Sequence, residues 1–243
     1  MKNRKILAGM LLVSAMLACN IPTATPTPGL LTPTPATPSA TPFPSATFPA
    51  LTTSTPAVPS ASPIDLPVNC RLGGGVEWEA IGALLIGQSA TIVGRNNSSS
   101  WWYVTTPNDP DTQCWVGATV VTTAGNLSNV PVVSNPTAWV TDIDVSVDPQ
   151  DISPVVCIAP LAPIEITGSI HTNGPVTVEY RFETQQGGVM SAQTLEFDKF
   201  GTKTVEIDFV PLPAEGEFWV RLVILDPDSD PDTAQATYEI NCP

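Results

Sequence analysis

From Asn20 to Pro63 the chain has no charged residue and consists almost entirely of Thr, Pro, Ala and Ser. Repeats such as Thr25-Pro26-Thr27-Pro28 and Thr32-Pro33-Thr34-Pro35 run through it. Each proline fixes φ and removes a backbone donor, so neither a helix nor a sheet ladder propagates. Few large apolar side chains are present to bury. The stretch is therefore predicted to be a disordered to polyproline-II-like spacer. At ~3.1 Å per residue it would reach on the order of 100 Å. Its proline spacing is irregular, which disfavours a PxxP ligand, and its threonines permit O-glycosylation. Folded structure is expected only beyond it.

Residues 1–19 read MKNRKILAGMLLVSAMLAC. Lys2, Arg4 and Lys5 precede an apolar run from Ile6 to Leu17. That run is too short to cross ~30 Å of hydrocarbon as a helix and has the length of a secretory signal core. Met16-Leu17-Ala18-Cys19 resembles the bacterial lipobox, a small residue before a lipid-modified cysteine. The resemblance implies a signal peptide over 1–18, with Cys19 as the lipidation site at the start of a stalk over 19–64. The expected location is the cell membrane, lipid-anchored, on the extracytoplasmic side. Each buried acyl methylene would contribute ~0.8 kcal/mol to the anchor.

The whole chain carries 9 Lys+Arg against 23 Asp+Glu, a net charge of −14. Loss of Lys2, Arg4 and Lys5 with the signal peptide would leave 6 against 23, or −17. Such a balance argues against nucleic acid and anionic lipid surfaces, which need a basic footprint. The one histidine excludes a His-rich metal site. No phosphate loop, nucleophile elbow or metal motif occurs, so neither an enzyme nor a cofactor is expected.

Residues 65–133 hold short β-branched and aromatic clusters separated by turn signals, the pattern of a small barrel. The series runs Asn69 and Arg71, Gly73 to Gly75, Trp78, Ile81-Gly82 with Leu84, and Gly87-Gln88. Val93-Gly94-Arg95, Trp101-Trp102 with Val104, and Trp115-Val116 complete it. In order and spacing these residues resemble bacterial SH3-like domains. The resemblance implies a barrel that contacts cell-wall peptide or glycan, so peptidoglycan or another cell-envelope polymer is the expected partner. Cys70 replaces a usual aliphatic residue and Cys114 a usual glycine. Both departures are cysteines, which suggests a compensating disulfide.

Residues 137–243 read as seven strands. Period-two alternation marks 138–147, 164–170, 176–182, 192–197, 203–209, 218–224 and 236–240, with turns at Asn173-Gly174-Pro175 and Gly187-Gly188. The expected fold is an antiparallel sandwich of immunoglobulin or fibronectin type. The fold class is thus all-β: a stalk, an SH3-like barrel and an immunoglobulin-like β-sandwich. With Cys19 assigned to lipid, four cysteines remain and allow three pairings. The boundary near residue 134 favours Cys70–Cys114 and Cys157–Cys242, one pair per module.

Trp78, Trp101, Trp102 and Tyr103 are the candidate ligand-binding residues, with Trp115 beside them in the aromatic cluster. Large amphipathic rings suit peptide and glycan surfaces. Trp101 and Trp102 are adjacent on a strand, so one faces the core and the other faces outward. The outward one, with Trp78 and Tyr103 as neighbours, is the expected contact surface. Asp226, Asp228 and Asp230 begin an alternating carboxylate run. Pro231 and Thr237 stand where an EF-hand needs Gly and Glu, leaving a weak calcium candidate or a solvated turn. His171 is expected near a turn with no catalytic role, and Glu77 and Glu79 flank Trp78 without forming an acid–base pair. A second expected role is structural display or adhesion through the sandwich.

Overall fold

The computed structural model describes residues 58–158 and 160–243. Cys19, the signal segment and the stalk up to residue 57 lie outside the described residues. No helix among the described residues is long and apolar enough to cross a membrane.

The chain first forms β1 (Ser60–Pro63), β2 (Val68–Arg71), β3 (Ala80–Leu84), β4 (Ala90–Arg95), β5 (Trp101–Thr105), β6 (Gln113–Gly117) and β7 (Val121–Ala124). A 3-10 turn, Ala118–Val120, joins the last two. These strands make one sheet in the order β3-β2-β6-β5-β4-β1-β7. The stalk assignment over 19–64 runs too far: Ser60–Pro63 pairs with both β4 and β7. A proline is tolerated there because β4 pairs only with Ser60 and Ala61, so at Pro63 the strand has a neighbour on one side only. Ala61, Val68, Leu84, Ile92, Trp102, Val104 and Val116 fill the core of this lobe. The Asn96–Ser100 turn is closed by the Asn96 side chain, whose Oδ1 accepts from the amides of Ser100 (2.9 Å) and Trp101 (3.2 Å).

The second lobe holds β8 (Val140–Asp148), β9 (Asp151–Ile152), β10 (Ile164–Thr172), β11 (Val176–Thr184), β12 (Gly188–Val189), β13 (Gln193–Phe197), β14 (Gly201–Phe209), β15 (Gly216–Asp226) and β16 (Thr233–Ile240). All seven strands read from period-two alternation are present. The two-residue β9 and β12 are too short to show a period. One sheet runs β14-β10-β8 and the other β12-β11-β15-β16-β9, with β13 also on β11. All pairings are antiparallel except β9 with β16. The two sheets form a β-sandwich whose core contains Val145, Ile166, Ile170, Phe182, Leu222 and Tyr238. Gly168 lets the sheets close up: a Cβ there would lie 2.8 Å from Leu222 Cδ2.

Both cysteine pairs lie at disulfide distance within their own lobes, with Cα–Cα separations of 5.4 Å for Cys70–Cys114 and 5.5 Å for Cys157–Cys242. The first ties β2 to β6 beside their single registered pair, Arg71 with Trp115. The second ties the segment after β9 to the end of β16, where the Asn241 amide also donates to Ile152 O (2.9 Å).

The two lobes belong to one compact unit. The β2–β3 loop of the first lobe reaches the β10–β11 and β13–β14 turns of the second. Glu79 N donates to Asn173 O (3.0 Å) and Phe200 N to Glu77 O (2.8 Å). Gly74 N donates to Asn135 Oδ1 (2.7 Å). Trp78 is 4% exposed. Its ring leaves no room for side chains at Gly73 or Gly174, and a Cβ at Gly174 would fall 2.5 Å from Trp78 Cε3.

Trp78→Ala should lower stability by ~3–5 kcal/mol, since a buried aromatic leaves a cavity. Gly174→Ala should cost ~1–3 kcal/mol by overpacking against the same ring. Denaturant titration monitored by fluorescence and circular dichroism measures both, and a wild-type midpoint for either variant would contradict this packing. Removing the Cys70–Cys114 cross-link as a double serine variant should cost up to about 4 kcal/mol in the chain-entropy account, read from the same titration.

Candidate functional site

Along β5 exposure alternates: Trp101, Tyr103 and Thr105 are half-buried, while Trp102 and Val104 are buried. The adjacent tryptophans therefore face opposite sides, as strand geometry requires. Trp102 belongs to the core of the first lobe. Trp101 faces a groove of about 480 Å³.

The groove exists because β2 and β6 diverge. They are in register only at Arg71 and Trp115. Farther along β2, Val68 and Asn69 line the groove instead of pairing with β6. Trp101, Gly117 and Val120 form the opposite wall, and Ile64, Leu66 and Val76 line the rest. Leu66 is 74% exposed and Val76 70%. Asp65, Asn69 and Arg71 supply the polar groups. This combination of apolar wall and few polar groups fits a ligand held by contact area and oriented by hydrogen bonds. Two other clefts, of about 260 and 300 Å³, are smaller and less apolar.

Arg71 serves the groove and the joint between the lobes at once. Its Nη1 donates to Trp78 O (2.6 Å). Its guanidinium carbon lies 6.0 Å from the centre of the Phe200 ring, at the reach of a cation–π contact.

Of the four aromatic candidates, the structure places only Trp101 in the groove wall. Trp78 is not part of an exposed contact surface. It is buried because the second lobe covers it, and its Nε1 has no hydrogen-bond partner. Trp102 is likewise buried, by its own lobe. Tyr103 packs against Trp115 with ring centres 5.0 Å apart, supporting the sheet next to Trp101. The residues that the sequence reading missed are Ile64, Leu66, Val76 and Val120. Their exposure marks them, and exposure is invisible in a pattern of apolar letters.

The aspartate run forms the turn between β15 and β16, closed by Ile224 N donating to Asp232 O (2.8 Å). Asp226, Asp228 and Asp230 do not converge. Among the described residues no group of three or more His, Cys, Asp or Glu is placed to hold a metal ion. The prolines at 227 and 231 and the outward-pointing carboxylates account for this as a solvated turn. His171 is the second-last residue of β10, next to the Asn173 turn, and its Nδ1 hydrogen-bonds Thr202 Oγ1 on β14 (2.8 Å). Glu77 and Glu79 enter the joint through their backbones.

Among the described residues the fold and groove define two disulfide-closed all-β lobes, the first with an open apolar cleft. No protein-family model matches the sequence, and no curated protein matches it. Among solved structures the chain is similar to the CARDB domain of a Pyrococcus furiosus protein. The crystal structure of that domain, in complex with di-metal ions, matches with a TM-score of 0.35 and 12% identity over 44% of this chain and 96% of that one. Its solution NMR structure matches with a TM-score of 0.33 and 12% identity over 42% and 94%.

Trp102→Ala should destabilise by ~3–5 kcal/mol and Trp101→Ala by less than ~1.5 kcal/mol, because only the first leaves a core cavity. Thermal unfolding of the two variants checks this, and equal losses would mean that both rings are structural.

Proposed function

We propose that the protein is a lipid-anchored cell-surface protein whose first lobe binds a cell-envelope peptide or glycan in the Trp101 groove. The observation that carries this reading is the groove itself: an open apolar cleft with a half-buried tryptophan in one wall and Asp65, Asn69 and Arg71 at hand. A flat aromatic ring stacks on the apolar face of a sugar or on an extended peptide at low entropy cost, and such anchors commonly dominate an interface.

The lipobox-like segment at Cys19 and the SH3-like motif series supply the location and the class of ligand. In this reading residues 20–57 are a spacer that holds the lobes away from the membrane. The sandwich is a second interaction or display surface. Its 4 Lys+Arg against 18 Asp+Glu keep it off anionic surfaces. A binding protein rather than an enzyme is favoured by the sole histidine, which is half-buried on the central strand β10 and hydrogen-bonded to Thr202.

Trp101→Ala should weaken binding to purified cell wall by ~1–3 kcal/mol with little change in melting temperature. Sedimentation isotherms with insoluble wall measure this. Unchanged binding in the variant would pass the function to the sandwich as a display or adhesion surface. Mass spectrometry of the mature N-terminus tests the anchor separately: an unmodified Cys19 would remove it.

A further inference from the structure

Among the described residues β3 is an end strand of the seven-stranded sheet and pairs only with β2. Ala80, Ile81, Gly82 and Ala83 are all exposed, so both faces of the strand meet solvent. Ile81 is 47% exposed, and Leu85 and Ile86, just beyond the strand, are 50% and 52%. From Ala80 to Gln88 the chain carries no charge.

The other outer strands are guarded in ways β3 is not. Exposed Asp142, Asp144 and Asp148 line β8, and exposed Lys203, Glu206 and Asp208 line β14. Strands β9 and β12 are two residues long. β13 carries Glu196, and β7 is four residues with two threonines. Charge and shortness are the usual protections against edge-to-edge pairing. β3 is five residues long, with a register shift at Ile81 in its ladder with β2, and an uncharged apolar edge of this kind is a template for another strand.

We infer that β3 is a homotypic docking edge, at which two copies of this chain pair β3 to β3 in antiparallel fashion about a two-fold axis. The chain's own stalk is a poor occupant, because its prolines cannot donate to a ladder. A charged or two-residue edge of a second copy is equally unsuited. Of the other outer strands only β7 is both uncharged and longer than two residues, and its Val-Thr-Thr-Ala is shorter and less apolar. β3 against β3 therefore buries the most apolar surface without a charge, and an isologous contact closes on itself. Ala80, Gly82 and Ala83 are small enough for the two backbones to reach the ~4.7–4.9 Å strand spacing. Ile81, Leu85 and Ile86 of each copy flank the seam.

The contact is small. Seven residues a side, Ala80 to Ile86, compare with ~20–30 in a standard interface, so the dimer is weak and concentration-dependent. Two copies each of net charge −14 also repel. Raising the salt shortens the screening length from ~10 Å at 0.1 M to ~3 Å at 1 M and should strengthen the dimer. Association driven by opposite charges would weaken instead.

Sedimentation equilibrium on the full chain with its disulfides intact, together with concentration-dependent hydrogen exchange, tests the inference. The expected result is a reversible monomer–dimer equilibrium favoured by salt, with β3 amides gaining protection as concentration rises. Ile81→Lys should weaken dimerisation at least ~10-fold, because it sets two cations across the seam. Ile86→Lys, outside the strand, should weaken it too and serves if Ile81→Lys folds poorly. Thr122→Lys on β7 should leave it unchanged. A monomer at every concentration would overturn the inference, as would a dimer that survives both isoleucine variants or dissolves with Thr122→Lys. None of these readouts depends on wall binding, so the groove proposal stands or falls separately.

Discussion

The packing of Trp78 between the lobes is the contact on which the rest of the arrangement depends. The loop that carries it has glycines at 73, 74 and 75 and could not hold a position alone. It is held because Asn173, itself 2% exposed, ties three segments together. Asn173 Oδ1 accepts from Trp139 N, its amide donates to Trp139 O, and its carbonyl accepts from Glu79 N. The β10–β11 turn, the start of β8 and the β2–β3 loop therefore share one buried amide. Burial strengthens each of these bonds and makes an unmet one costly, so the joint forms as a whole or not at all. Two lobes that could have been beads on a string become a single body.

That joint also shapes the groove. Val76 lies two residues before Trp78, and Arg71 reaches from the groove wall to the Trp78 carbonyl. The Cys70–Cys114 link fixes β2 to β6 at the foot of the cleft and leaves the upper part of β2 free to splay. A cleft whose β2 wall is held by the cross-link at Cys70 and, one residue on, by Arg71 at the joint needs less ordering when a ligand enters. That lowers the entropy cost that binding must overcome.

Much of this was legible in the sequence because alternation is a local signal. Val140 to Asp148 and Ile164 to Thr172 announce their buried faces residue by residue, and the two cysteine pairs follow from one pair per lobe. What was not legible depends on partners far along the chain. Ser60–Pro63 reads as the end of a proline-rich stalk and becomes a strand only because β4 and β7 offer ladders on both sides. Trp78 reads as a surface aromatic beside glycines, and the covering surface comes from Gly174, about a hundred residues later. The groove depends on a strand pair that separates after one residue, and no period records that. Trp101 and Trp102 mark the boundary: the sequence says that they oppose each other, and the rest of the sheet decides which is inside.

The charge distribution shows where this chain can associate. Among the described residues there is one ion pair, Arg181 with Glu183, so most of the sandwich carboxylates are solvated rather than matched. Solvated like charges contribute little to stability and much to keeping surfaces apart. On β8 they stand along an outer strand, where they prevent pairing. The first lobe has only Arg71 and Arg95 against five carboxylates between residues 65 and 133. Its two unguarded apolar features lie on either side of the same strand: β2 borders the groove through Val68 and Asn69 and carries β3 through its ladder. Four residues of β2 thus connect the groove, the outer edge and, through Arg71, the joint. A displacement of β2 by a ligand would reach all three.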